Sequence, residues 1–472
     1  MGTLMHQRVV DRGCQSWVWL AVLLAGALSP ARAAAQTPPG SLSLNDAVEL
    51  ARRNYPSIKE SRARAQAAEE GVGLARAAYL PRLDLLWQEN RATSNNVFGL
   101  LLPQTVIPNI SGPVLGTPSY GGVWGSAAGV QLSWDAIDFG VRKAGVDVAR
   151  AHGALARARI DLTELDVAAA AADGFVTVLA ADEAVRAARA NVDRLEVFAN
   201  AVRSLVQNQL RPGADESRSN AELAIARNQL SQTIQSADLA RATLADAVGA
   251  AGSAVEPAAG RLARPPDVAT AGPSDPKAHP ASREAQASVE MVRARARALD
   301  RSYFPKVVFQ SAFAARGSGA EVPGLAPLGD GLWPQVSNWA AGLSVTFPAF
   351  DVFPIKARKR VEAQNELAES ARYDQTLQAL TTQQAKARAL MKAALDVARN
   401  TPIERQAATD AESRARARYQ NGLANITEVA EAQRLLAQAE ADDAVARLAV
   451  WRALLAEAQA RGDLAPFLEK TR

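Results

Sequence analysis

The sequence predicts a mostly helical fold with a small membrane-embedded β part, built from a duplicated repeat. Two long segments are rich in alanine and charged residues and nearly free of glycine and proline, which is the pattern of very long helices. Four short segments alternate large apolar residues with small or polar ones, which indicates β-strands. Similar landmarks recur in the same order in both halves of the chain, so we expect two related units.

The first 35 of the 472 residues predict a signal peptide for export. Arg8 and Arg12 supply its charged start, Trp17 to Leu28 its apolar run, and the small residues of 31–35 its cleavage site. The apolar run is about a dozen residues long, whereas a helix that spans a bilayer needs about 20. We therefore expect residues 1–35 to be cleaved rather than kept as an anchor.

Charge and cysteine content argue against several classes of protein. The net charge is +4, and residues 1–35 account for +2 of it with three arginines and one aspartate, so nothing indicates nucleic-acid binding. The single cysteine, Cys14, precedes the apolar run, so we expect no disulfide, thiolate metal site or lipid-anchored cysteine in the mature chain. No later segment is apolar for about 20 residues, so a membrane-spanning part has to consist of strands.

The duplication shows first in two helical stretches bounded by prolines. One begins at Pro56 and ends before Pro81, and the other begins at Pro280 and ends before Pro305. The offset is the same at both ends, because 280 − 56 and 305 − 81 both equal 224 residues. This agreement predicts that the two stretches occupy equivalent places in two repeats.

A second pair of landmarks sets the boundaries of the repeats. Residues 129–138 resemble residues 342–351 at an offset of 213, so the first repeat carries 224 − 213 = 11 additional residues between the landmarks. The predicted organisation is a signal peptide at 1–35, a first repeat at 36–251, a linker at 252–277, a second repeat at 278–460 and a C-terminal tail at 461–472.

Each repeat contains one very long helix, a tight turn and a return helix. The long helices are predicted at about 141–209 and 355–420, and the return helices at about 214–249 and 425–460. At 1.5 Å per residue, each long helix extends about 100 Å, which exceeds the size of a compact domain. Small side chains along these helices favour close, coiled-coil-like packing between neighbours.

The strands are predicted at about 82–92, 127–135, 306–315 and 338–347. One face of each strand is apolar, and a half-buried strand of a soluble sandwich has the same periodicity. However, aromatic residues concentrate in these segments, and each strand is about ten residues long, as a tilted membrane strand requires. The predicted aromatic girdle consists of Trp87, Trp134, Trp339 and Phe347.

Four strands cannot close a membrane barrel within one chain. The smallest single-chain barrels use eight strands, and lipid does not tolerate an open sheet edge. Several copies of the chain must therefore pool their strands. The segments Ser94 to Gly122 and Gly317 to Gln335 are rich in glycine, proline, asparagine and serine, and we expect them to form extracellular loops.

Three segments, with the duplication and the order of all these landmarks, resemble the TolC-type outer-membrane factor family over essentially the whole mature chain. They are Leu42 to Pro56, Arg211 to Arg218 with the alanine-rich helix that follows, and Tyr419 to Gln433. The resemblance implies a homotrimer in outer-membrane lipid. Three chains, each giving four strands, would form a 12-stranded barrel, and their long helices would form a periplasmic α-barrel.

The resemblance also implies a gate and a docking tip. The gate candidates are Tyr419, Glu428 and Glu431, with the two glutamates three residues apart on one helix face. The turns at which a periplasmic adaptor would dock contain Arg211, Pro212, Gly213, Ala214, Asn421, Gly422, Leu423 and Ala424. Gly213 and Gly422 are expected to permit the helix reversals. The sequence departs from the family at Ala424, where a basic residue is common, and at Ser217, where an acidic residue is common.

Catalytic signatures are missing from the sequence. There is no glycine-rich phosphate loop, no paired-histidine metal motif and no nucleophile elbow, and both His152 and His279 are expected to be solvated. We therefore expect no enzyme activity, no cofactor and no metal. The resemblance implies a channel for an efflux system with an adaptor and a proton-driven or ATP-driven pump. A channel for type I protein or peptide secretion, or a soluble periplasmic coiled-coil protein, remains an alternative.

Overall fold

A computed structural model describes residues 42–93, 121–266, 272, 274–319 and 327–472. The predicted signal peptide at 1–35 lies outside the described residues, as does most of the predicted loop from Ser94 to Gly122. Parts of the predicted linker at 252–277 and of the loop from Gly317 to Gln335 lie outside them too.

Helices make up most of the described chain, which confirms the predicted fold class. They are α1 (Leu44–Asn54), α2 (Pro56–Ala77), α3 (Val141–Gln207), α4 (Gly213–Ala247), α5 (Pro280–Arg301), α6 (Val352–Gln420), α7 (Ile426–Arg461) and α8 (Ala465–Lys470). With 67 residues in α3 and 69 in α6, each long helix extends about 100 Å. In the ranges that the structure describes, no helix combines the length and apolarity needed to cross a membrane.

The long helices pack through small side chains. Ala168, Ala171 and Ala172 in the middle of α3 are fully buried at helical spacing. Gly174 lies against Leu244 of α4, where an added Cβ would be 3.5 Å from the leucine side chain. Alanine therefore favours the helical conformation, and alanine and glycine together let neighbouring helices approach closely.

The four strands form one antiparallel sheet in the order β1 (Arg82–Thr93), β2 (Gly122–Ile137), β3 (Lys306–Ser318) and β4 (Val336–Thr346). The β2–β3 pair joins the two repeats, with Trp134 opposite Phe309. β2 begins five residues before the predicted start at 127. Residues 122–126 all pair with β1, and two of these five residues are glycines, which have low strand propensity. Among the described residues of one copy, β1 and β4 each have an edge with no neighbouring strand.

The two faces of the sheet differ in character. The register aligns Leu85, Val130, Phe313 and Trp339 across all four strands on one face, and all four side chains are exposed. The opposite face carries small and polar residues, including the buried Gln131. A sheet that packs on a soluble core buries its large apolar residues instead. We call the exposed side the apolar face.

The largest core lies where α1, the middle of α3 and the end of α7 meet. Trp451 at its centre is fully buried, and its indole N–H donates to the Arg264 carbonyl at 2.9 Å. Phe467 of α8 packs edge-on against Trp451 with ring centroids 6.3 Å apart. The segment predicted as a C-terminal tail, 461–472, therefore contains a helix that contributes to the core.

The expectation that His279 is solvated is wrong. The His279 side chain is buried at the N-terminus of α5, where its Nδ1 accepts the Ala281 N–H at 3.1 Å and its Nε2 donates to the Gln459 carbonyl at 3.1 Å. This arrangement requires a neutral imidazole with its proton on Nε2. Burial lowers the pKa of His279, although the Gln459 carbonyl and the Asp166 carboxylate oppose the shift.

Candidate functional site

The two helical hairpins end in equivalent turns. An offset of 213 residues places Gln209, after α3, in register with Gly422, after α6. Both residues adopt the left-handed conformation, with φ of 59° and 76°. In each turn the next N–H bonds to the carbonyl five residues earlier, at 2.9 Å in the first turn and 2.8 Å in the second. The duplication therefore extends to the backbone of the helix ends.

Gly213 was predicted to permit the first reversal, and this prediction is wrong. Gly213 is the first residue of α4, and its φ is not positive. The left-handed position falls four residues earlier, on Gln209, which has no glycine signature in the sequence. The prediction for Gly422 agrees with the structure, since Gly422 occupies the left-handed position with nothing within 4 Å of an added Cβ.

The predicted docking residues all lie in or beside these two turns. Pro212, Gly213 and Ala214 are exposed at the start of α4, and Asn421, Gly422 and Leu423 are exposed between α6 and α7; Arg211 and Ala424 are partly exposed. Leu210 and Leu423 are equivalent in the two repeats and are 68% and 71% exposed. The tip thus presents one large apolar side chain on each turn.

Tyr419 of α6 connects the two hairpins. Its ring is 1% exposed and packs against Phe198 of α3 with ring centroids 5.7 Å apart. Its hydroxyl donates to Asp215 Oδ2 of α4 at 2.9 Å. The Arg211 guanidinium lies over the same ring, 4.3 Å from its centroid, and donates to the Tyr419 carbonyl. One side chain therefore bonds the second hairpin to three residues of the first.

Burial and the neighbouring carboxylate both favour the neutral phenol. Desolvation is the larger cause, and the Asp215 carboxylate is the second; together they raise the pKa of Tyr419 to about 12. The Arg211 guanidinium opposes this shift only in part. Tyr419 therefore keeps its proton and can donate to Asp215 throughout the physiological pH range.

The two glutamates of the predicted gate lie in different surroundings. Glu428 is in the first turn of α7, where its N–H donates to the capping Asn425 Oδ1 at 3.0 Å. Its carboxylate is 3.5 Å from Arg418 Nε. Glu431, one turn later, is exposed and has no ion pair with any residue in the described ranges. Glu431 therefore presents an uncompensated charge, whereas the charge of Glu428 is partly offset.

Sequence reasoning missed Asp215 of the Tyr419 cluster and named Arg211 only as a docking residue. Arg211 occupies the position equivalent to Ala424, and Asp215 the position equivalent to Glu428, at the offset of 213. The basic and acidic groups that seemed displaced at Ala424 and Ser217 are thus supplied by the first turn. Comparing the two turns residue by residue would have revealed both, since the signal is in the repeat register.

The predicted girdle residues are all exposed at the sheet. Trp339 lies toward the end farther from the helices and Trp87 near the middle of β1, whereas Trp134 and Phe347 lie toward the helical end. Trp134 and the β2 residue opposite Trp87 are six residues apart, about 20 Å along the strand. The Trp134 indole N–H donates to the Tyr79 carbonyl at 3.0 Å, and Trp87 packs edge-on against Trp333.

Within the part of the chain that the structure describes, no group of three or more histidine, cysteine, aspartate or glutamate side chains could hold a metal ion. The polar clusters at the tip consist of ion pairs and capping bonds. These contacts hold neighbouring helices together, as the bond from the Tyr419 hydroxyl to Asp215 does.

Both halves of the chain match one known protein family. The sequence profile of the family described as outer membrane efflux protein matches residues 47–250 and 277–462. No curated protein sequence matches the chain. The two matched ranges correspond to the two repeats and leave out the segment between them.

Several solved structures share the fold at low sequence identity. The CusC channel is 16% identical with a TM-score of 0.74, covering 90% of this chain and 94% of its own. The CmeC outer membrane channel of Campylobacter jejuni is 14% identical with a TM-score of 0.73, covering 91% and 89%. The outer membrane protein VceC of Vibrio cholerae is 18% identical with a TM-score of 0.71, covering 89% and 96%.

Proposed function

The chain belongs to the outer membrane efflux protein family, and from this premise we propose that it is the outer-membrane channel of a tripartite efflux system. In that role it is a passive exit duct for substrates that an inner-membrane pump delivers through a periplasmic adaptor. The family consists of channel proteins, so the chain is not an enzyme. One observation carries the proposal: a sheet with an exposed apolar face and two open edges stands on helices about 100 Å long.

The apolar face supports residence of the sheet in outer-membrane lipid. Its large side chains are exposed in the part of the chain that the structure describes, and water is a poor environment for so contiguous an apolar surface. The open edges of β1 and β4 support a closed ring of copies, because an unpaired edge is costly in lipid. Three copies would give a 12-stranded barrel, and the long helices would then extend into the periplasm as a second barrel.

The helical tip is proposed as both the gate and the docking surface. Tyr419 holds the second hairpin against the first through Asp215 and Arg211, so separating the hairpins requires these bonds to break. We propose that an adaptor docks on the exposed turns beside Leu210 and Leu423 and separates the hairpins there. The uncompensated carboxylate of Glu431 would favour cations at the entrance when repeated around the ring.

The efflux and secretion alternatives can be distinguished by which compounds accumulate in cells that lack the protein. Deleting the gene should raise the accumulation of toxic small molecules, and restoring it should reverse this. A strain whose small-molecule accumulation is unchanged, but which no longer exports a particular peptide or protein, would support the secretion alternative instead. The adaptor and pump are expected among proteins that cross-link to a cysteine placed at Leu423, since the mature chain has no other thiol.

Fractionation tests the location of the protein. The protein should remain in the outer-membrane pellet after salt washing and leave it only in detergent, because the apolar face needs an apolar environment. Release by salt alone would contradict membrane insertion and support the soluble coiled-coil alternative. A processed N-terminus near residue 35 would support export with a cleaved signal peptide.

A further inference from the structure

The junction between sheet and long helix differs between the two repeats. In the first repeat, Asp138 accepts the N–H groups of Gly140 and Arg142 at 3.1 and 2.6 Å and also the Arg142 Nε at 2.8 Å. The Arg142 guanidinium lies 4.8 Å from the centroid of the Tyr79 ring. Both charged side chains of this pair are only about one-tenth exposed. The first junction is therefore closed by an almost buried ion pair between Asp138 and Arg142.

The second junction lacks this closure. The offset of 213 places Asp351 where the first repeat has Asp138, and Ile355 where it has Arg142. The Asp351 side chain makes no capping bond to α6. A cleft of about 360 Å³ lies here between the ends of β3 and β4 and the first turns of α6. We call it the junction cleft.

Two unpaired cations line the junction cleft. Lys306 and Arg358 are exposed, and neither forms an ion pair with any residue in the described ranges. At the offset of 224, the first-repeat equivalent of Lys306 is Arg82, which pairs with Asp84 at 2.9 Å. The equivalent of Asp84 is Val308, so Lys306 has lost its partner. The cleft contains one carboxylate, Asp351, and therefore carries a net positive charge.

Apolar side chains, together with the polar residues Ser302 and Thr346, form the rest of the junction cleft. Phe304, Pro354 and Ile355 line it beside the two cations. Next to it, Phe350 is 85% exposed and Phe353 is 70% exposed. Exposed aromatic residues together with cations at the edge of an apolar surface are typical of the boundary between lipid tails and headgroups. The cleft thus combines a net positive charge with an adjoining exposed apolar surface.

We propose that the junction cleft binds an anionic phospholipid, with its phosphate between Lys306 and Arg358 and its acyl chains along Phe350, Phe353 and the apolar face. This inference rests on the proposed function, which places the helical end of the sheet at the periplasmic leaflet of the outer membrane. Occupancy of the cleft supplies the counter-charge that the first repeat provides internally at Asp84. The lipid then fixes the depth of the sheet in the membrane.

The test measures lipid that remains bound to the purified protein. The full-length protein is reconstituted in vesicles of equimolar phosphatidylglycerol and phosphatidylcholine and extracted in mild detergent, and native mass spectrometry counts the retained lipids. We expect phosphatidylglycerol to be enriched on the wild type. The double variant Lys306→Gln with Arg358→Gln should lower that enrichment about tenfold, because each cation near a headgroup contributes to binding.

Matched variants separate this site from general charge effects. The double variant Lys392→Gln with Arg414→Gln should retain the lipid. It removes two exposed cations from α6, the helix of Arg358, far from the junction, and neither has an ion pair in the described ranges. Exchanging the cations, Lys306→Arg with Arg358→Lys, should also retain it. The inference would be overturned if Lys306→Gln with Arg358→Gln retained as much phosphatidylglycerol as the wild type. It would also be overturned if the wild type retained phosphatidylcholine and phosphatidylglycerol equally, or if inorganic phosphate displaced the lipid. Detergent-dependent extraction of the same samples tests the proposed function separately.

Discussion

Tyr419 illustrates how much at the tip depends on a single hydroxyl group. Its ring contacts could be replaced by those of phenylalanine, but its bond to Asp215 could not. A hydrogen bond to a charged group contributes about 1.5–3 kcal/mol. We therefore assign the Tyr419 hydroxyl the central part in keeping the two hairpins together at rest.

Under the proposed gate role, Tyr419→Phe should raise the resting conductance of the channel in planar bilayers about tenfold or more, since the lost bond would stabilise the closed tip. Tyr373→Phe is the matched control, because Tyr373 lies on the same helix away from the tip. A spectroscopic titration of the tyrosines should also lose its highest step, near pH 12, in Tyr419→Phe only. Unchanged conductance would remove Tyr419 from the gate.

The glutamates predict a difference in ion selectivity. Glu431→Gln should reduce cation preference in planar bilayers more than Glu428→Gln does, because Arg418 already offsets the charge of Glu428. Both substitutions keep the size and helix propensity of the side chain, so selectivity is tested without a change of packing. If both variants changed the cation preference equally little, neither carboxylate would lie in the ion path.

His279 predicts a dependence of stability on pH. Because its pKa is lowered in the folded protein, its contribution is present above the unfolded value of 6.5 and is lost as the pH falls below it. The melting temperature should therefore decline between about pH 7.5 and pH 5. His279→Asn can still cap α5 and should flatten this decline, while His152→Asn, at an exposed position, should leave it unchanged. A slope unaltered in His279→Asn would contradict the buried neutral imidazole.

At the scale of elements, local sequence patterns predict the helices and strands better than their ends. Alanine content and apolar alternation are local signals, and they indicated four strands and two very long helices. The reversal at Gln209 could not be read from composition, because a non-glycine residue in the left-handed conformation is held there by the neighbouring helix-end bonds. Burial of His279 and Phe467 depends on contacts with distant segments, which no local pattern records.

Gly422 in the second turn and Gly213 at the start of α4 provide a matched pair of substitutions. Gly422→Val forces a β-branched residue into φ near 76° and should destabilise the second turn by about 1–3 kcal/mol, although the surrounding space is open. Transport should fall while the oligomer stays intact. Gly213→Ala lies within a helix and should be neutral or stabilising by about 0.4–1 kcal/mol. Drug susceptibility and native gels measure both variants; normal transport in Gly422→Val would argue against a role for this turn in docking.

At the scale of the whole molecule, the sheet is the part that a single copy leaves incomplete. Its strands pair in the order β1 to β4, so in the described part of each copy the outer edge of β1 and the outer edge of β4 are free. Its apolar face has no covering layer among the described residues. The shortfall of strands was evident from the sequence, whereas the apolar face required the cross-strand register, in which Leu85, Val130, Phe313 and Trp339 align.

The number of copies in the detergent-extracted protein tests this account most directly. Native mass spectrometry of protein released from the outer-membrane pellet should give a mass of three processed chains, because three sets of four strands close the barrel. A stable single chain in the same preparation, folded and with both sheet edges unpaired, would contradict the account.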